Sequence, residues 1–246
     1  VVGNPFTANW TSASFLTDNT VNLVIQTLWG CNQATAVYDT YVTGDNFVLA
    51  PTQGFFIQAN ADTSLIFNES YQTATSGTFQ KSEKTEIKLW ITDGKKQRYS
   101  RINYAPNATT GFDNGYDGEI FGGVYRGKEN SFDVFTNLVG NNTGKKYQVQ
   151  TLPNSGFENM IIPIGITADA DQKITFTAET LNLPTGIKVF LEDTETNTFT
   201  RLDEVVSEYT ISLTEKVDGV GRFYLHTKSS ALSTSEVSLG NVSIYT

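Results

Sequence analysis

Apolar and polar positions alternate most cleanly where Ile87, Leu89 and Ile91 are interleaved with Glu86, Lys88 and Trp90. A period of two predicts a β-strand with one buried face. Asp93-Gly94 supplies a tight turn, and Gln97–Tyr104 predicts the returning strand of a hairpin. The same grammar recurs on both sides. Val21–Trp29 reads as a buried strand and Ala36–Val42 as its neighbour across a Gly-Cys-Asn-Gln turn. Phe47–Ala50 stops at Pro51, Gly54–Ala59 resumes, and Ser64–Phe67 follows. The polar stretch Glu69–Lys84 predicts a surface loop. Val124-Tyr125, Phe132–Phe135 and Tyr147–Leu152 predict further short strands.

Pro153-Asn154-Ser155-Gly156 is rich in turn residues, and the strand pattern restarts after it through Met160–Ile166, Lys173–Thr177, Ile187–Asp193, Tyr209–Leu213 and Gly221–His226. The pattern therefore predicts an all-β chain of two tandem antiparallel β-sandwich domains. Residues 1–155 form a larger jelly-roll-like unit and residues 156–230 a smaller Ig-like unit, with the break between Leu152 and Met160. Residues 231–246 read as a Ser/Thr-rich linker followed by the first strand of a further domain, Asn241–Tyr245.

Composition agrees with this picture. A chain of 246 residues is comfortable for two β-domains, and its 16 Phe, 11 Tyr and 3 Trp suit pleated, half-buried faces. With 26 acidic against 17 basic residues the net charge is −9, which repels phosphate backbones, so nucleic acid is not an expected partner. No run approaches the roughly 18 apolar residues of a membrane helix, so no membrane insertion is expected. The single cysteine, Cys31, cannot form an internal disulfide and reads as a small filler.

The densest chemistry lies in Thr109–Glu119, where Asp113, Asp117 and Glu119 alternate with glycines and with Phe112 and Tyr116. The glycines permit backbone angles closed to other residues, so the three carboxylates can converge as a Ca²⁺ site while the two aromatics anchor the loop in apolar surface. An ordered turn is the alternative. The stretch is not an EF-hand, because Gly115 and Val124 occupy positions that require oxygen ligands. Gly140–Lys146 mimics a phosphate loop but is one residue short and leads into a strand. His226 lacks the partners that a triad or zinc site requires and reads as a sheet-face residue. The strand at 86–91 leaves Glu86, Lys88 and Trp90 directed outward. They form a candidate ligand surface where an indole can stack on a sugar and the charges can bind hydroxyls, unless the Glu69–Lys84 loop covers it.

Six segments occur in an order that resembles a known family: Val2–Phe6, Ala50–Phe56, Gly111–Asp113 with Tyr116-Asp117, Ile162–Gly165, Val189–Asp193 and Gly221–Phe223. They resemble the region preceding the C-terminal sorting domain in large surface proteins exported by the type IX secretion system of Bacteroidetes. The resemblance implies a β-sandwich module at the outer-membrane surface or outside a Gram-negative cell. It implies no catalytic residues. The expectation is a non-enzymatic module for adhesion, display or glycan binding, with surface polysaccharide or a host or neighbour-cell glycan as partner. A self-assembling stalk or filament subunit is the alternative, and an accessory part of a polysaccharide-degrading enzyme a third.

Overall fold

The structure, a computed structural model, describes residues 1–32, 37–74, 84–122, 131–156, 158 and 160–229. The segment expected as a linker and further strand (231–246), the expected strand Val124-Tyr125 and most of the expected 69–84 loop lie outside the described residues.

The N-terminal part is built from short pieces: β1 (Val2–Gly3), β2 (Trp10–Thr11), α1 (Ser12–Asp18), β3 (Thr27–Asn32), β4 (Val37–Val42), β5 (Val48–Leu49) and β6 (Gly54–Phe56). They form a four-stranded sheet in the order β1-β6-β3-β4 and a two-stranded β2-β5 pair. Fully buried Trp10 organises this part, its ring edge-on to Phe15, Phe55 and Phe67 at centroid distances of 5.2–6.1 Å. The apolar run that predicts a strand from Val21 becomes one only at Thr27. Upstream, the amide N–H groups of Asn22 and Leu23 donate to the Asn19 carbonyl as the chain leaves α1, and Val21 and Val24 face solvent.

The remaining strands are β7 (Thr85–Thr92), β8 (Gln97–Ala105), β9 (Gly118–Glu119), β10 (Asp133–Thr136), β11 (Tyr147–Pro153), β12 (Ile161–Ala168), β13 (Lys173–Leu181), β14 (Lys188–Asp193), β15 (Thr198–Arg201), β16 (Tyr209–Ser212) and β17 (Val217–Lys228). All belong to one sheet in the order β15-β14-β17-β12-β10-β11-β8-β7-β13-β16, with β9 on β11. The sheet is nearly closed: from terminal strand β16 the Tyr209 hydroxyl donates to Asp193 Oδ2 at the end of β14, 2.8 Å away. The expected β7–β8 hairpin is present, with Ile87, Leu89 and Ile91 at 0% exposure.

The expected division between residues 155 and 156 does not separate two units. Strand β13 pairs with β7 from Thr175↔Thr92 to Leu181↔Glu86, and β11 runs parallel to β8. One core joins Ile87, Leu89, Ile102 and Leu152 to Ile162, Phe176, Leu191 and Phe223 across that point. A local turn at Pro153–Gly156 is the end of a strand, not of a domain. The core does change elsewhere, because the cluster around Trp10 draws only on residues up to Tyr71. The chain is all-β apart from α1 and two single 3₁₀ turns among the described residues.

Buried ions join these two parts. Arg98, 3% exposed on β8, reaches Asp39 on β4 at 3.1 Å and Asp133 on β10 at 3.0 Å. Arg101 holds both oxygens of Asp45 and also donates to the Thr40 carbonyl. Burial alone would raise the Asp45 pKa, but the Arg101 charge and hydrogen bonds, with Lys84, lower it to about 2.

A candidate binding turn at the junction of the two layers

The 109–119 segment sits where the N-terminal layer meets the large sheet, and it is pinned from both sides. On the N-terminal side, Asn114 Oδ1 accepts from the Gln26 amide at 2.8 Å and the Gly115 carbonyl accepts from the Thr43 amide at 3.2 Å. The Glu119 carbonyl accepts from the Trp29 indole N–H and the Thr40 hydroxyl. On the sheet side, Asp117 Oδ1 accepts from the Thr151 amide at 2.7 Å and the Thr151 hydroxyl donates to the Tyr116 carbonyl. The Tyr116 amide closes a turn onto the Asp113 carbonyl with Gly115 at its third position, φ +85°. A type II turn requires that φ of a glycine. A Cβ on Gly115 would also sit 2.9 Å from Gln26 Oε1.

The carboxylates do not converge as a calcium cage. Asp117, fully buried, spends its second oxygen on the Asp113 amide at 2.7 Å. Asp113 accepts from the Thr109 amide and hydroxyl, and Glu119 turns to Lys145 at 2.6 Å. Ca²⁺ takes six to eight oxygen ligands, whereas these oxygens are turned onto the loop's own N–H groups and a lysine. Among the described residues no three His, Cys, Asp or Glu side chains form a metal-holding group. The donor set does not fit the expected ion.

Burial raises the Asp117 pKa to about 7, against the two amide hydrogen bonds that favour its charged form and with a small push from Asp113. A folded-state pKa above the unfolded value of about 3.9 means that the folded state holds the proton more tightly, so this group's contribution to stability falls as pH rises through about 7. Melting temperature should decline between about pH 4 and pH 7 and level off above it, and Asp117→Asn should remove that part of the slope. An unchanged slope in the variant would exclude Asp117 as its source.

The aromatics of the turn behave opposite to expectation. They do not anchor it; Phe112 and Tyr116 are 41% and 48% exposed. Phe112 makes an inclined contact with Tyr147, centroids 6.1 Å apart. Their exposure follows from the inward-turned carboxylates, which hold the loop by its backbone and leave the rings outside. The signal was the turn chemistry of Asp113-Asn114-Gly115, but the sequence does not show which side of a turn meets the core.

The outward face of β7 is less open than its alternation implies. Register pairs Lys88 with Arg101 and Trp90 with Tyr99, and Arg101 lies under β4 and Asp45 of the N-terminal layer. Lys88 Nζ sits 4.2 Å from the ring centres of both Trp90 and Tyr99. Burial lowers the Lys88 pKa, partly offset by Glu179 and Glu86. The Trp90 side chain is half-buried, and its indole N–H is buried without a hydrogen-bond partner. Glu86, Lys88 and Trp90 are brought together, but Lys88 already occupies the stacking surface.

His226 lies on the sheet face as expected, 4% exposed, its Nε2 2.7 Å from Glu192 and its ring edge-on to Phe199. Cys31 is a half-buried free thiol.

A family model described as a domain of unknown function, DUF8693, matches residues 1–226. No curated protein and no solved structure matches the chain.

Proposed function

The chain belongs to that domain family of unknown function, and from this premise we propose that it is a non-enzymatic module of an exported surface protein that binds glycans. The single observation that carries the reading is the backbone-locked 109–119 turn, which displays Phe112 and Tyr116 at the junction of the two layers. A locked scaffold lowers the ordering cost of binding, and exposed aromatic rings suit shallow, wet sites. The resemblance to regions that precede type IX sorting domains agrees with an extracellular or outer-membrane setting. The lone histidine, committed to Glu192 and packed on Phe199, supports the non-enzymatic half.

The test is retention on immobilised polysaccharides, with the eluate assayed for new reducing ends and unsaturated sugars. Retention without cleavage is expected; cleavage products would establish a degradative role and overturn the reading.

One observation favours the second reading, self-assembly. Strand β15 ends the sheet with Phe199 42% exposed, and the loop after it presents Val205 and Val206 at 92% and 97% exposure. Val206 has φ +68°, a costly conformation for a β-branched side chain. An edge strand beside exposed valines is a template for a second chain. Under this reading native mass spectrometry should show ordered multimers that Val205→Asp dissolves, whereas a monomer at high concentration removes it.

A further inference from the structure

We propose that the Phe112–Tyr116 turn is the contact site for the sugar, taking the apolar face of neutral, hydroxylated rings by stacking and rejecting anionic ones. The proposal rests on the glycan-binding reading and names the ligand class and the residues.

Three features point to this ligand. First, the exposure of the rings is built into the fold. The backbone between them is held by Asp113, Asp117, Gln26, Thr43 and Thr151, so neither ring can be withdrawn without breaking those bonds. Aromatic side chains on a fixed backbone have few rotors to freeze and give large contact area at low entropic cost. Second, the ligand's hydroxyls find partners at the rim. Asn114 uses its Oδ1 on the Gln26 amide, and its exposed side chain still carries two amide hydrogens to donate. The exposed Tyr116 contributes a phenolic hydroxyl that can donate or accept.

Third, charge selects among glycans. The turn carries Asp113, and among the described residues Lys145 is paired with Glu119 at 2.6 Å and Lys146 with Asp218 at 2.5 Å. Binding a uronate or sulfate here would place an anion beside a carboxylate in a chain of net charge −9, with no lysine or arginine among residues 109–119 to compensate. Neutral rings incur no such repulsion. The Trp90 surface lacks this combination, since Lys88 already covers its ring.

The experiment is calorimetric titration of the full chain with neutral gluco-, manno- and galacto-oligosaccharides, with oligogalacturonate as the anionic control. The variants are Phe112→Ala, Tyr116→Ala, the double variant and Trp90→Ala. Each single turn variant should weaken neutral-sugar binding about tenfold, the loss of one aromatic contact, and the double variant should abolish it. Melting temperatures of the turn variants should match the parent, because the rings are exposed; Trp90→Ala should leave affinity unchanged. A parent that binds neutral sugars as tightly as the double variant does overturns the site and leaves the glycan-binding reading standing. A parent that binds no sugar overturns both, and tighter binding of oligogalacturonate overturns the charge argument.

Discussion

Arg98→Ala should cost roughly 3–5 kcal/mol of stability, the range for removing one partner of a buried ion pair. The guanidinium is held between Asp39 and Asp133, themselves 4% and 3% exposed, so the substitution takes the Arg98 charge away from two buried carboxylates. Among their partners, the Asn32 side chain donates to Asp39 and the Val134 amide to Asp133, and neither bond replaces a positive charge. Chemical denaturation at pH 7 measures the loss, and a value below about 1 kcal/mol would show that water or rearrangement solvates the carboxylates. The triad spans β4, β8 and β10, so hydrogen exchange should also accelerate in β4, where the N-terminal layer is clamped to the large sheet. Replacing Arg98, Asp39 and Asp133 together by apolar residues of similar volume should recover much of the loss, since the cost lies in keeping buried carboxylates without the Arg98 charge and not in losing the pair itself.

Gly165→Ala should be nearly as damaging, at about 2–3 kcal/mol for overpacking that cannot relax. Gly165 lies opposite Phe135 in the β10–β12 register and at the shift in register between β12 and β17. An added Cβ would overlap the Phe135 ring and stand 2.9 Å from the Gly219 carbonyl oxygen. The ring can be trimmed but the backbone cannot move cheaply. In a double-mutant cycle with Phe135→Leu, part of the Gly165→Ala penalty should therefore be relieved. Strict additivity would indicate that the Gly219 carbonyl, and not the ring, sets the cost.

Strand positions were legible wherever side chains alternate, because burial on one face of a sheet imposes a period of two. Ile87, Leu89 and Ile91 report the core side without reference to anything distant. Pairing was not legible. Nothing in Lys173–Leu181 names Thr85–Thr92 as its neighbour, and the turn at Pro153–Gly156 looks the same whether it separates domains or strands. Strand β15, Thr-Phe-Thr-Arg, lacks an apolar stripe and was missed for that reason. The apolar Val21–Ile25 run misled, since its backbone bonds go to Asn19 and Gln58 and not to a strand ladder. At the turn, constrained backbone was legible from glycines and Asx residues, but not the direction of the side chains. That direction is decided by distant partners, Gln26 and Thr151, which only the fold supplies.

The pairing of β7 with β13 also sets how the protein is made. Residues 85–92 emerge from the ribosome more than eighty residues before the strand that covers their free edge, and β16 must then close beyond it. Until residue 181 is available the chain can form the β7–β8 hairpin, but the Ile87, Leu89 and Ile91 stripe lacks the Phe176 and Ile174 side of its core. Loop-closure entropy for such separated partners comes before any contact energy, so refolding should take milliseconds to seconds, not microseconds. The nascent chain thus carries an unpaired, aggregation-prone edge from the completion of β7 until β13 has been made. A chaperone that holds the first half extended would act on that edge.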